Sequence, residues 1–174
     1  QVSGKVVNKL DATVCMEVLK ADLKLIEQEL PQGTCQIDLV DSNLFHWEVA
    51  LAGPEGTPYK GGIFRFWLWF PVEYPQQTPK LKCLTPMYHC NIDNNGSVCL
   101  DMDQELMRLN VFSQDAEMPT STRSSAFCIV QALLSLFAAP VPENALVPDA
   151  GSLFLSNRQE YNRRAQEWTM RHAS

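Results

Sequence analysis

Apolar residues first recur at helical spacing from Ala12 to Leu30, where Val14, Val18, Leu19, Leu23, Leu25, Ile26 and Leu30 are separated by Glu and Lys. That period predicts an amphipathic helix with one stripe turned to a core. Pro31 and Gly33 end it, because proline cannot continue the helical ladder and glycine relaxes the turn. Residues 1–11 show no apolar period and read as a flexible arm. The pattern then alternates. Cys35–Val40, Leu44–Ala52 and Ile63–Phe70 are rich in β-branched and aromatic residues, with turn formers at 41–43 and 53–58 between them. They read as consecutive strands of an antiparallel meander, and Lys80–Leu84 as a fourth. In the third, nearly every side chain is apolar, which predicts that both faces are covered, one by a helical layer. Phe64, Phe66, Trp67, Trp69 and Phe70 are accordingly expected in the core.

From Pro86 to about Ser125 no period is visible, and so long an irregular stretch inside a domain is normally functional or mobile. Helical spacing returns at Phe127, Val130, Leu133, Leu134 and Phe137, and from Asn157 to His172, with Asp149 placed to cap a short helix between. A helix, four strands, an irregular segment and further helices make an α+β domain, its helices segregated from a four-stranded antiparallel sheet.

Composition narrows the class. With 174 residues, 45% of them hydrophobic and 20% charged, the chain suits one globular domain. Its longest apolar runs, such as Ala132 to Pro142, are too short for the roughly 20 residues of a membrane helix. Those short runs lead to the expectation of a soluble protein without membrane contact, and no charged-then-apolar secretory leader opens the sequence. A net charge of −6 and a pI near 5.0 oppose nucleic-acid binding and favour protein partners. The six cysteines (Cys15, Cys35, Cys83, Cys90, Cys99 and Cys128) are widely spaced and form no Cys-x-x-Cys pair. They read as reduced thiols rather than disulfides or a zinc site, which points to cytosol or nucleus.

The irregular stretch holds Tyr88-His89-Cys90-Asn91-Ile92-Asp93-Asn94-Asn95-Gly96-Ser97-Val98-Cys99-Leu100-Asp101. Acyl chemistry on a cysteine needs an accessible sulfur, support for an oxyanion, and a group that prepares the incoming nucleophile. Cys99, Asn91 and a nearby carboxylate can supply these. By spacing alone, an inert loop thiol and a turn-forming asparagine remain open readings.

Several longer motifs resemble the ubiquitin-conjugating enzymes, in order and at that family's spacing. They are Asn43-Leu44-Phe45-His46-Trp47; Gly53-Pro54-x-x-Thr57-Pro58-Tyr59-x-Gly61-Gly62-x-Phe64; Phe70-Pro71-x-x-Tyr74-Pro75-x-x-x-Pro79-Lys80; Gly96-Ser97-Val98-Cys99-Leu100-Asp101; Leu133-Leu134-Ser135-Leu136; Leu146-Val147-Pro148; and Tyr161-Asn162-x-x-Ala165-x-Glu167-Trp168-Thr169. The resemblance covers nearly the whole chain after the first dozen residues, so residues 12–174 are expected to be one core domain of that fold. It implies that Cys99 takes ubiquitin, or a ubiquitin-like protein, from an activating enzyme as a thioester and passes it to a lysine or a ligase. It implies that Asn91 orients a loop and supports the oxyanion, that His89 is structural, and that Tyr88 packs beneath His89. It further implies contacts of Lys20 and Lys24 with the activating enzyme, and of Pro75 and Gln76 with a ligase. No cofactor, metal or nucleotide site is implied.

Four features depart from the family pattern. Cys90 stands where proline is usual, which frees φ and places a second thiol near the first; a packed thiol and a Cys90–Cys99 disulfide are both open. Asn144, beside Glu143, matches the usual aspartate of an acidic gate for the attacking lysine, and an amide cannot favour deprotonation as a carboxylate does. Residues 102–125 form a longer, acidic segment after the nucleophile. Gln76 replaces the aromatic residue that anchors HECT-type ligases, which leaves RING-type recognition favoured. Ubiquitin is the expected cargo. A Nedd-type modifier is the alternative, on Leu30-Pro31-x-x-Thr34-Cys35 and Lys82-Cys83-Leu84-Thr85, and a non-catalytic ubiquitin- or ligase-binding scaffold is the second alternative.

Overall fold

The computed structural model describes residues 9–100 and 126–174. Helix α1 spans Lys9–Glu29 and so already begins inside the stretch read as an arm. Strands β1 (Cys35–Leu39), β2 (His46–Ala52), β3 (Ile63–Trp69) and β4 (Lys80–Cys83) follow, then helices α2 (Ala126–Ala138), α3 (Pro148–Ser156) and α4 (Arg158–His172). Residues 1–8 and the acidic stretch expected over 102–125 lie outside the described residues. The strands form one antiparallel sheet in the order β1-β2-β3-β4. The α+β expectation of a meander with helices on one side and at the ends therefore holds. No described helix is long and apolar enough to cross a membrane.

Alternation decides which side of the sheet is dry. Trp47, Val49 and Leu51 of β2 and Phe64, Phe66 and Leu68 of β3 share one face and are fully buried. Helix α2 lies among them, with the Phe137 ring 5.1 Å from Phe64 and 5.4 Å from Tyr59. The other face corrects the expectation for β3. Trp67 and Trp69 are half-exposed there rather than core, and Ile63 and Arg65 are exposed. Among the described residues their own sheet neighbours, rather than a helix, contact them. His46 stacks on Trp69 at 4.6 Å, Trp67 meets Trp69 edge-on at 5.1 Å, and Arg65 Nη1 donates to Glu48 Oε1 at 2.7 Å.

Helix α1 buries Cys15, Leu19, Asp22 and Ile26, whereas Val14 and Leu25 face solvent. An aspartate sits in that buried row because it has work to do at a distance. Tyr74 Oη donates to Asp22 Oδ2, and the Ala126 amide at the start of α2 reaches both Tyr74 Oη at 2.7 Å and Asp22 Oδ2 at 3.3 Å. Hydroxyl and carboxylate together satisfy that helix-start amide, and the carboxylate also takes the Tyr74 hydrogen. Burial raises the Asp22 carboxyl above its ordinary range, against the hydrogen bonds from Tyr74 and Ala126. Helix α3 also departs from expectation. Asp149 is in its first turn and Val147 holds the cap position without a side-chain bond. At α4 the cap is Asn157, which accepts from the Glu160 amide at 3.1 Å.

Candidate functional site

Beyond β4 the chain folds back on itself through one tight loop. Asp93 Oδ1 accepts from the amides of Asn95 at 2.8 Å and Ser97 at 2.9 Å. These backbone donors, Ser97 foremost, hold the Asp93 carboxyl below its ordinary range. Gly96 has φ +81, and a Cβ there would stand 2.2 Å from the Cys83 carbonyl oxygen, so only glycine fits. That closeness lets Gly96 O accept from the Cys83 amide at 2.8 Å, which fastens the loop to the end of β4. The returning chain then presents Cys99, whose amide donates to Asn91 O at 2.9 Å and whose side chain is half-buried.

Asn91 has no exposed surface. Its Nδ2 donates to Val141 O at 2.7 Å and Asn144 O at 3.1 Å. Its Oδ1 accepts from the Val141 amide at 2.9 Å and from the Cys90 thiol at 3.3 Å. Both amide hydrogens are therefore engaged by carbonyls. Those bonds tie Asn91 to residues 141 and 144, and donation to an oxyanion would require one of them to open.

His89 is buried as well. Its Nδ1 accepts from the Asn91 amide at 3.0 Å, and its Nε2 lies 3.0 Å from Leu136 O. A neutral ring with its hydrogen on Nε2 satisfies both contacts. Burial pushes its pKa down to about 4, against the raising effect of Leu136 O. The ring beside it is Tyr59, at 5.6 Å. Tyr88 does not pack beneath His89 as expected; it meets Tyr161 at 5.4 Å and Trp168 at 6.4 Å on α4.

Cys90 is completely buried, and both it and Cys99 are free thiols. Burial raises its thiol pKa. Its carbonyl accepts from the Leu146 amide at 2.8 Å and the Val147 amide at 3.0 Å. The gate residues lie on the loop so held. Pro142–Asn144 form a single tight turn, with Glu143 exposed and Asn144 half-buried. Cys99, Asn91, Glu143 and Asn144 are thus brought to one place by backbone pairing.

The remaining predicted positions lie elsewhere. Lys20 and Lys24 are exposed on α1, Lys20 paired with Glu17 at 2.8 Å. Half-buried Pro75 and exposed Gln76 lie on the turn after β3, beside Tyr74. The Tyr74–Asp22 contact joins that turn to α1. Sequence reasoning overlooked Tyr59 and Tyr161, whose hydroxyls meet at 3.3 Å behind the Cys99 loop. Both lie inside motifs already singled out, which was the available signal. Among the described residues no group of three or more His, Cys, Asp or Glu side chains is arranged to hold a metal.

The family model described as ubiquitin-conjugating enzyme matches residues 14–169, nearly the whole chain and all of the sheet and site. The order of helix, four-stranded meander and later helices agrees with it. This chain belongs to the ubiquitin-conjugating enzyme family.

Proposed function

We propose that this protein carries ubiquitin as a thioester on Cys99 and hands it to a lysine or to a ligase. The observation that supports this best is the placement of a half-buried, free Cys99 on a loop tied through Asn91 to Val141 and Asn144 and through the Cys90 carbonyl to Leu146 and Val147. In the first step the Cys99 thiolate attacks the thioester carbonyl joining ubiquitin's C-terminus to the activating enzyme. A new carbon–sulfur bond forms and the activating enzyme's thiolate leaves. The exchange is close to balanced, so positioning rather than an acidified thiol supplies most of the gain. In the second step an amine attacks the same carbonyl, the amide forms, the Cys99 thiolate departs, and the amine's proton passes to a base or to water. Glu143 is the carboxylate of the gate, and Asn144 can only orient the amine. Transfer to a ligase cysteine needs no such base and is less affected.

Lys20 and Lys24 are the proposed contacts for an acidic domain of the activating enzyme. Pro75 and Gln76 are the proposed ligase contact, of the RING type because Gln76 offers no aromatic anchor. Action in the cytosol or nucleus fits six cysteines that form no disulfide. The test is incubation with ATP and separate ubiquitin- and Nedd-specific activating enzymes, read on a non-reducing gel. A ubiquitin adduct that dithiothreitol removes and Cys99→Ala lacks is the expected result. An adduct with the Nedd-type modifier alone changes the cargo, and no adduct from folded, reduced protein returns the chain to a binding scaffold.

A further inference from the structure

Cys90 does more than fill space where its relatives carry proline. Unlike proline, it has an amide hydrogen, and that hydrogen is used: the Cys90 amide donates to Tyr161 Oη at 3.2 Å. Tyr59 Oη donates to Tyr88 O at 2.9 Å and lies 3.3 Å from Tyr161 Oη. With the Tyr59 hydrogen committed to a carbonyl, the Tyr161 hydroxyl is the donor between the two rings. The donors then run in one direction, from the Cys90 amide to Tyr161, from Tyr161 to Tyr59, and from Tyr59 to the Tyr88 carbonyl. The chain leaves the Cys99 loop at residue 90, passes through α4 and the β2–β3 connection, and returns to the same loop at residue 88. All three side chains are buried, Tyr59 and Cys90 completely.

The same residue bonds the gate loop through its carbonyl and Asn91 through its thiol. Its carbonyl takes the Leu146 and Val147 amides, and its thiol donates to Asn91 Oδ1, the atom that also accepts from the Val141 amide. Amide, carbonyl and sulfur of one residue therefore connect α4, the gate and Asn91. A proline would keep only the carbonyl contacts.

We infer that Cys90 is a positioning residue for acyl transfer: its carbonyl holds the Leu146 and Val147 amides of the gate loop, and the bonds of its amide to Tyr161 and of its thiol to Asn91 fix where that carbonyl and Asn91 stand. The inference rests on the carrier reading for its catalytic half, while the clamp these bonds form is measurable without activity.

Four variants separate the contacts. Cys90→Ala removes the thiol alone, Cys90→Pro removes thiol and amide hydrogen, Tyr161→Phe removes the amide's acceptor, and Cys90→Ser keeps every contact with a stronger donor. Two readouts are taken: amide hydrogen exchange over residues 141–147, and single-turnover discharge of preloaded ubiquitin to free lysine over a range of lysine concentrations. Single neutral hydrogen bonds correspond to about a two- to tenfold change in such rates. The expected order is a loss of about threefold in Cys90→Ala and Tyr161→Phe and about tenfold in Cys90→Pro, in the limiting rate and not in the lysine concentration for half-maximal rate. Cys90→Ser is expected to restore most of the rate, and the Leu146 and Val147 amides to exchange faster in the impaired variants.

Unchanged exchange at 141–147 in both Cys90→Pro and Tyr161→Phe, each folded by circular dichroism, would overturn the clamp. Faster exchange with unaltered discharge would overturn its role in transfer. Absence of any adduct on the parent protein would remove the carrier reading and the transfer role together, and the exchange data would still decide the clamp.

Discussion

The two segments that meet near Cys99 are held by different means. On one side, His89, Cys90 and Asn91 are buried and each makes side-chain hydrogen bonds to named partners. On the other, the gate loop is positioned through backbone atoms, namely Val141 N and O, Asn144 O, Leu146 N and Val147 N. The comparison shows where change is tolerated. A gate whose location depends on its backbone can exchange aspartate for Asn144 and keep its place, whereas Asn91 cannot be altered without releasing several buried groups at once.

Removing the nucleophile is the severest way to test the arrangement: Cys99→Ala should abolish the adduct outright. Cys99→Ser should give one that dithiothreitol leaves intact, because an oxyester resists thiol exchange; both are read on the gel. Next comes Asn91→Ala, which strands the carbonyls of Val141 and Asn144 and the amide of Val141. The expected cost is about 2–4 kcal/mol of stability in urea unfolding, with at least a tenfold slower lysine discharge. Loss of stability without any loss of discharge would separate the two segments.

Acid should attack the buried side through His89. Its folded pKa of about 4 lies below the ordinary 6.5, so between those values the unfolded chain binds more protons and stability falls as pH falls. At about 1.4 kcal/mol per unit the loss is roughly 3 kcal/mol from pH 7 to pH 4. The raised Asp22 carboxyl acts with the opposite sign. The His89 contribution is therefore read as the difference in urea midpoint between parent and His89→Gln across that range, and parallel curves would contradict it.

The exposed side should give smaller effects and a gain rather than a loss. Asn144→Asp restores a carboxylate beside the attacking amine and should speed lysine discharge about tenfold, with little effect on transfer to a ligase cysteine. An equal gain in both would place the residue outside amine activation. Smallest of all, Lys20→Glu with Lys24→Glu should slow loading by the activating enzyme about three- to tenfold at low salt, and less at high salt.

Much of the fold was readable from period alone. The meander was legible because each strand alternates between a dry and a wet face, and the turn formers between strands are dense. The outer face of β3 was misread because Trp67 and Trp69 are apolar by composition, yet their neighbours in space, His46 and Glu48, come from β2. Helix α1 was misread for a related reason. Val14 and Leu25 look like core residues, while Asp22 is buried only because Tyr74 and the Ala126 amide meet it there. No local pattern predicts a partner 104 positions away.

The candidate site divides the same way. Cys99, Asn91, Glu143 and Asn144 were named from motifs, and Gly96 owes its identity to a positive φ and to the Cys83 carbonyl a side chain would meet. What the sequence by itself determined is the order of elements, the alternation that sorts inside from outside, and the residue types available for acyl chemistry. Those are properties of neighbours along the chain, where periodicity and steric limits on φ and ψ act. What only the tertiary structure decided is which groups are satisfied. Both Asn91 amide hydrogens are spent on the gate, His89 is locked neutral, and the amide of Cys90 finds Tyr161 at a separation of 71 residues. Hydrogen-bond satisfaction in a buried site is a matter of distances across the fold, and the chain reveals them only when it has closed.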